Sequence, residues 1–393
     1  RVVESVEKKV EEKEVKKHAL EVDITEKTSE TQNYVNTLII GSLALDSISK
    51  ISGPVYMKDS NPGQTSVSLG GVGFNMAKAC GLALKSPSCN EPATSRFVSI
   101  VGDDVPGRSI MSQIAEDENF NDVAIKQSTT SSTAQYSSIH TSEGDLIIAC
   151  ADMNIIESEE FSDYIISEVQ KSKPNQIIVD CNLSSSGLDK VISYVYQNLP
   201  NSKIIVEPTS AVKAERLAKI NSRNLKIFPH NSILLITPTV HELECIHDTF
   251  ATRELFDDYD YWFPLLDTLG ADVEFRNKLS IIKSPILEEG LNKGFIQQSI
   301  KLLPYIPNIL LKLGEKGLLL IKLSSNVYDY KSIPTVSPYR PELIITSKGK
   351  TYGEFENRMG VVIEYFPIPE ENRGITIENV TGAGDSFLGY LAA

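Results

Sequence analysis

The chain has 393 residues, 41% hydrophobic and 23% charged, enough for one large α/β domain or two smaller ones with a substantial buried core. Its formal net charge of −14 argues against binding a nucleic-acid backbone, which needs clustered Lys and Arg, but leaves room for a local anion site. Five dispersed cysteines (Cys80, Cys89, Cys150, Cys181 and Cys245) form no C-x-x-C pair and fit reduced thiols in a cytoplasmic protein, and no apolar run approaches the ~20 residues of a membrane helix.

Residues 1–33 mix Glu and Lys densely and carry few large apolar groups, so they read as a charged linker or solvated helix. The chain opens with Arg1 instead of Met, and it is expected to be a segment of a longer polypeptide. From residue 34 to 393 the texture is that of one domain. Short apolar runs, "VNTLIIG", "SRFVSIVG", "NQIIVDCN", "SKIIVEP", "SILLITP" and "NILLKLG", suit strands buried on both faces of a parallel sheet. Between them the spacing predicts helices over Val72–Leu84, Gly107–Glu118, Glu160–Lys171, Leu188–Gln197 and Ala211–Ile220. This alternation predicts an α/β fold, a doubly wound, mainly parallel sheet flanked by helices. Two Ser/Thr-rich stretches, about 47–70 and 131–150, have period-2 character and read as a small β lid, the second with a hairpin turn at Ser142–Asp145. Residues of about 250–294, acidic and aromatic, read as an insertion. Ligands of such sheets sit beyond the carboxyl ends of the strands.

Several chemistries are excluded by spacing. No G-x-x-x-x-G-K-[ST] or G-x-S-x-G occurs, "GGVGFNM" lacks the third glycine of a dinucleotide fingerprint, and His241-Glu242 is followed at the i+4 position by Cys245 and not His. "NVTGAGDSF" remains. Gly382 and Gly384 let backbone approach a ligand, and Asp385–Leu391 reads as a helix whose first N–H groups favour an anion. Asp385 beside that site pairs a carboxylate with phosphate donors, the combination phosphoryl transfer needs; it also fits an ordinary first-turn capping acid. Asp46 after the first strand, with Gly70, Gly71 and Asn75 at a loop-to-helix junction, forms a set suited to gripping vicinal hydroxyls.

The stretch from about Val35 to Ala393 resembles the PfkB (ribokinase-like) family of sugar and nucleoside kinases, with "IIGSLALD", "LGGVGFNMAKACGLAL", "VSIVGDDVPG", "KLGEKG" and "NVTGAGDSF" in family order. The resemblance implies a ribokinase-like fold and ATP-dependent phosphorylation. Asp385 would be the catalytic base, and Gly382, Ala383 and Gly384 the anion hole. Asp46, Gly70, Gly71 and Asn75 would hold the sugar, and Gly314 and Gly317 would face the nucleotide. It also implies Mg2+, positioned through water by Glu242, and a monovalent cation such as K+. The chain departs from the family at Thr239, Lys312 and Asn379, where Asn, Thr and Asp are usual. Family members also continue beyond the equivalent of Ala393 with a segment that completes the adenine pocket.

Within the family, "VDCNLS", "IVEPTSAVKA" and the "YSSIHTSEGDLIIACADMNI" hairpin are most similar to pseudouridine kinases, some of which are fused behind a pseudouridine-5′-phosphate glycosidase. The expected activity is phosphorylation of the 5′-hydroxyl of pseudouridine. The alternatives are another nucleoside, a free sugar such as ribose, or a nucleoside-binding domain without chemistry. The lid is a candidate surface for a homodimer.

Overall fold

The computed structural model describes residues 35–86, 93–120, 122–327, 330, 340–353, 355, 357–372, 374 and 382–393. The charged segment 1–33 and Asn379 lie outside the described residues.

Among the described residues, ten strands form one sheet. Seven are parallel, in the spatial order β5 (Val123–Ser128), β4 (Ser95–Gly102), β1 (Thr37–Ile40), β8 (Gln176–Asp180), β9 (Lys203–Glu207), β10 (Leu235–Ile236) and β11 (Asn308–Lys312). The run continues antiparallel through β12 (Leu318–Ser324), β14 (Gly360–Phe366) and β13 (Leu343–Thr346). The apolar runs of the sequence are the parallel strands, and β1 is buried at every position. A second, four-stranded sheet has the order β3 (Gly63–Gly70), β2 (Ala44–Ile51), β6 (Gln135–His140), β7 (Leu146–Asp152). Its β6–β7 turn passes through Gly144 at φ +98°, in the hairpin stretch expected from the sequence.

Alternating residues of the large sheet feed two cores. Ile39, Phe97, Ile178 and Ile205 face α1 (Val72–Leu84), α2 (Val105–Glu116) and the C-terminal helix, while Leu38, Ile40, Val98, Ile177 and Val179 face α3 (Glu159–Ser172), α4 (Ser185–Asn198) and their successors. Helix starts are set by caps. Asp104 Oδ1 accepts from Gly107 N–H at 2.8 Å, so α2 begins at Val105, two residues before the expected Gly107. Ser184 Oγ accepts from Gly187 N–H at 3.1 Å, so α4 begins at Ser185 instead of Leu188.

After α5 (Ala211–Ala218) and α6 (Val240–Thr252), the acidic–aromatic stretch folds as α7 (Trp262–Thr268), α8 (Val273–Ile281) and α9 (Pro285–Asn292), before α10 (Phe295–Leu302). Trp262, Leu265, Phe275 and Leu287 are buried in the same core as the sheet, and Trp262 Nε1–H donates to the Lys301 carbonyl at 2.9 Å. The final helix, α11 (Ala383–Leu391), packs against α1, and Gly389 lets the backbone of Met76 approach it. That contact places the Gly-Ala-Gly-Asp turn at the carboxyl end of the sheet.

Candidate active site

Strand β1 is the switch point of the large sheet: the chain leaves it for β4 and β5 on one side and later returns to β8 on the other. The crevice beyond the carboxyl ends of β1 and β8 is where α/β sheets bind ligands. Here Asp180, the last residue of β8, reaches across to the loop after β1. Its Oδ2 accepts from Ser42 N–H at 2.8 Å and from Ser42 Oγ–H at 3.1 Å, and its Oδ1 from Asn182 N–H at 2.9 Å. Ser42 Oγ in turn accepts from Val72 N–H at 2.9 Å at the start of α1 and from Asn182 Nδ2–H at 3.0 Å. One buried serine thus joins β1, β8 and α1. Burial raises the Asp180 pKa from the ordinary 3.8, against the hydrogen bonds from Ser42 and Asn182 that favour the charge.

The lid enters directly after this loop. Asp46 follows the first strand, as expected, and lies on β2 opposite Ser68 of β3 and Tyr136 of β6. Its carboxylate occupies the space that a side chain at Gly70 would fill. Among the described residues no donor is hydrogen-bonded to Asp46, and burial raises its pKa from 3.8. A half-buried acceptor of this kind is available to a ligand hydroxyl. Gly71 precedes α1 at φ +104°, where an added Cβ would lie 2.5 Å from the Ser42 carbonyl oxygen.

At the other end of the chain α11 begins at Ala383, two residues earlier than the expected Asp385, with Gly382 at φ +74° as its N-cap. Ser386 N–H makes the first intrahelical bond, to the Gly382 carbonyl at 2.9 Å. The N–H groups of Ala383, Gly384 and Asp385 precede it, and among the described residues they have no hydrogen-bond acceptor. Asp385 Oδ2 accepts from Asn75 Nδ2–H of α1 at 3.0 Å, across 310 residues of sequence. A Cβ at Gly382 would lie 2.7 Å from Asn75 Nδ2, so the glycine leaves space for this amide. Asp385 has a raised pKa. Burial is the main cause, and the charges of Asp180 and Glu242 add to it, while the Asn75 bond and the Lys312 ammonium oppose it. A carboxylate tuned upward in this way is a better proton acceptor than a free aspartate.

Two further acids stand at neighbouring strand ends. Glu207 closes β9 and is 1% exposed; its Oε1 pairs with Lys312 Nζ at 2.7 Å and its Oε2 accepts from Thr237 Oγ1–H at 2.6 Å. Glu242 forms a capping box with Thr239 at the start of α6: Thr239 N–H donates to Glu242 Oε2 at 2.8 Å and Glu242 N–H to Thr239 Oγ1 at 3.3 Å. Glu242 is therefore not hydrogen-bonded to Asp385, although its charge is felt there. Among the described residues no group of three or more His, Cys, Asp or Glu could cage a metal ion. The charge of Glu242 is felt at Asp385, and two such acids are a donor set compatible with Mg2+. His241 is exposed and lies by Glu244 at 3.5 Å, so the zincin-like letters form no metal site.

A cleft of about 1230 Å3 opens beside α11. Ala383, Gly384 and Lys312 line it, together with Gly314 and Gly317 from the turn after β11 and with Leu235, Leu320 and Phe366. Gly317, at φ +90°, lies against the Phe366 carbonyl, where a side chain would overlap. The structure thus gathers Asn75, Gly382, Gly384 and Asp385 at one point, joins them through the cleft to Gly314 and Gly317, and sets Asp46 with Gly70 on the lid. An unbonded set of backbone donors, a carboxylate of raised pKa and an adjoining cleft can together orient an anion and accept a proton from a hydroxyl. Sequence reasoning did not single out Asp180, Ser42, Asn182 or Glu207. Their common signal is position, each at or just past the end of an apolar run.

No family model matches the chain. It is 28% identical over 375 residues to a pseudouridine-metabolizing bifunctional protein of Schizosaccharomyces pombe, covering 94% of this chain and 44% of that protein. It is 28% identical over 189 residues to a pseudouridine kinase of Escherichia coli, covering 47% of this chain and 55% of that one. The chain therefore spans about half the length of these relatives. Among solved structures, Arabidopsis thaliana ribokinase complexed with ribose and ATP superposes with a TM-score of 0.52 at 16% identity, over 91% of this chain and 84% of that one. The chain thus has the ribokinase-like fold with its small β lid, and in sequence it resembles the pseudouridine kinases of the PfkB family.

Proposed function

We propose that the chain is a kinase domain that transfers the γ-phosphoryl group of ATP to the 5′-hydroxyl of pseudouridine. The observation that carries this reading is the Asn75–Asp385 hydrogen bond at the N-terminus of α11, whose first residues Ala383 and Gly384 line the 1230 Å3 cleft. Asp46 and Asn75 bind the ribosyl hydroxyls and bring the 5′-oxygen to Asp385. Asp385 takes the hydroxyl proton as the oxygen forms its bond to the γ-phosphorus and the bond to the β,γ-bridging oxygen breaks, so that ADP leaves with the electron pair. The N–H groups of Ala383, Gly384 and Asp385 donate to the phosphoryl oxygens. Gly314 and Gly317 admit the nucleotide close to the backbone. Glu242 and Asp385 would hold Mg2+, largely through water, and the bound ion would neutralise charge on the phosphate oxygens. The lid strands cover the sugar and exclude water.

The pseudouridine assignment rests on the names of the two relatives and on "VDCNLS" and "IVEPTSAVKA". Asp46 and Asn75 read hydroxyls and not bases, so ribose and other nucleosides are the competing acceptors. A panel of pseudouridine, uridine, adenosine and ribose with MgATP, ranked by kcat/KM, tests this; pseudouridine should rank first, and equal or better use of ribose would reassign the acceptor. The bifunctional name of the S. pombe relative, of which this chain covers 44%, supports a kinase half joined to a second activity, here read as a pseudouridine-5′-phosphate glycosidase. The free thiols of Cys150, Cys181 and Cys245, with the use of ATP, support a cytoplasmic location. Among the described residues no helix is long and apolar enough to cross a membrane.

A further inference from the structure

Lys312 stands where the resemblance implies threonine, and the mechanism above leaves it unused. It ends β11, where its N–H donates to the Pro238 carbonyl at 2.8 Å and its backbone pairs with Thr239. Its side chain is only 14% exposed. On one side Nζ meets Glu207 Oε1 at 2.7 Å, and Glu207 is itself fixed by Thr237. On the other side it meets the first turn of α11: a Cβ on Gly384 would lie 3.1 Å from Lys312 Nζ and 3.3 Å from its Cδ. Lys312 also lines the cleft together with Gly314, Ala383 and Gly384. Among the described residues its ammonium has a single hydrogen-bond acceptor, although it carries three donors.

A pair kept only for stability has little reason to sit here. Desolvating two charges is costly, and apolar residues of similar volume often serve as well. The position has a chemical use. Gly384 directly precedes the proposed base, so a phosphorus moving from the cleft toward an oxygen at Asp385 must pass beside it. We infer that Lys312 binds the terminal phosphate of the nucleoside triphosphate and offsets its charge during transfer, with Glu207 as the positioning residue that holds the ammonium against Gly384. This rests on the kinase reading for the identity of the anion. Glu207 balances the ammonium until the nucleotide arrives, and the two remaining donors then serve phosphate oxygens.

The test uses the whole protein with Lys312→Met, Lys312→Arg and the double variant Lys312→Met/Glu207→Gln. The double variant removes the buried carboxylate that the single Met substitution leaves unpaired, and its melting temperature reports on folding. Calorimetry without acceptor should show Lys312→Met weakening ATP about tenfold while ADP changes by less than about twofold. With pseudouridine, kcat should fall about 100-fold with the nucleoside KM nearly unchanged, and Lys312→Arg should recover part of the loss. The double variant should fold as the wild type does and stay as slow as Lys312→Met. Equal loss of ATP and ADP binding, or wild-type kcat in the double variant, overturns the inference. The kinase reading fails separately. If the wild type transfers no phosphate but Lys312→Met still weakens ATP selectively, the phosphate contact stands and the reaction does not. If the wild type binds neither nucleotide, both are overturned.

Discussion

Replacing Asp385 by Asn isolates the proton-accepting step from everything else at the site. The substitution keeps the shape of the side chain and one amide oxygen, so the 3.0 Å bond from Asn75 Nδ2 can persist. What disappears is the base. Positioned general bases contribute about 100- to 10,000-fold, so kcat should fall on the order of 1,000-fold, which at 1.36 kcal/mol per decade is about 4 kcal/mol of transition-state stabilisation. Folding should respond in the opposite sense. The folded-state pKa of Asp385 is raised above the ordinary 3.8, first by burial and then by Asp180 and Glu242. An acid raised in this way favours the fold below its unfolded pKa, and that contribution is lost as pH rises through the folded value. At neutral pH the ionised carboxylate therefore works against the fold, and Asp385→Asn should melt at or above the wild-type temperature. Steady-state ADP release and scanning calorimetry measure the two quantities. A kcat within about tenfold of wild type would remove Asp385 as the base; a clearly lower melting temperature would refute the electrostatic reasoning.

Asn75→Ala removes the hydrogen bond that lowers the Asp385 pKa, so the acid limb of kcat/KM should move to higher pH; a pH–rate profile with an unmoved limb would contradict this. Gly71→Ala forces a side chain into φ +104° and to 2.5 Å from the Ser42 carbonyl, which should cost about 1–3 kcal/mol of stability in urea unfolding. Gly317→Ala combines φ +90° with overlap on the Phe366 carbonyl, so it should raise the KM for ATP and leave the nucleoside KM near its wild-type value; the reverse pattern would take the Gly314–Gly317 turn away from the nucleotide.

The strands of the parallel sheet were legible because burial on both faces leaves near-continuous apolar runs such as Thr37–Ile40 and Gln176–Asp180. Helix α1 matches its expected bounds, Val72–Leu84, because glycines precede it and its apolar residues recur at helical spacing. The antiparallel strands β12, β13 and β14 went unnamed. In β12 only every second residue is buried, although Leu318–Ile321 is an apolar run as continuous as those of the parallel strands. In the site, Asp385, Asn75 and the glycines stood out because they lie in dense motifs. Asp180 and Glu207 did not, since each is one acid after a strand. Only the strand order brings Asp180 to Ser42 across 138 residues and Glu207 to Lys312 across 105. Lys312 itself was visible only as a departure from the family pattern. Its ion pair and its contact with Gly384 needed the folded chain.

The central claim is that this fold transfers phosphate from ATP to the 5′-oxygen of pseudouridine through Asp385. Incubating the whole protein with MgATP and pseudouridine and following the mixture by phosphorus NMR tests it directly. The account predicts a single new phosphomonoester, coupled to the 5′ protons and formed in equal amount with ADP, that forms about 1,000-fold more slowly with Asp385→Asn. ATP left intact beside unmodified pseudouridine, or phosphate attached at another hydroxyl, would contradict it.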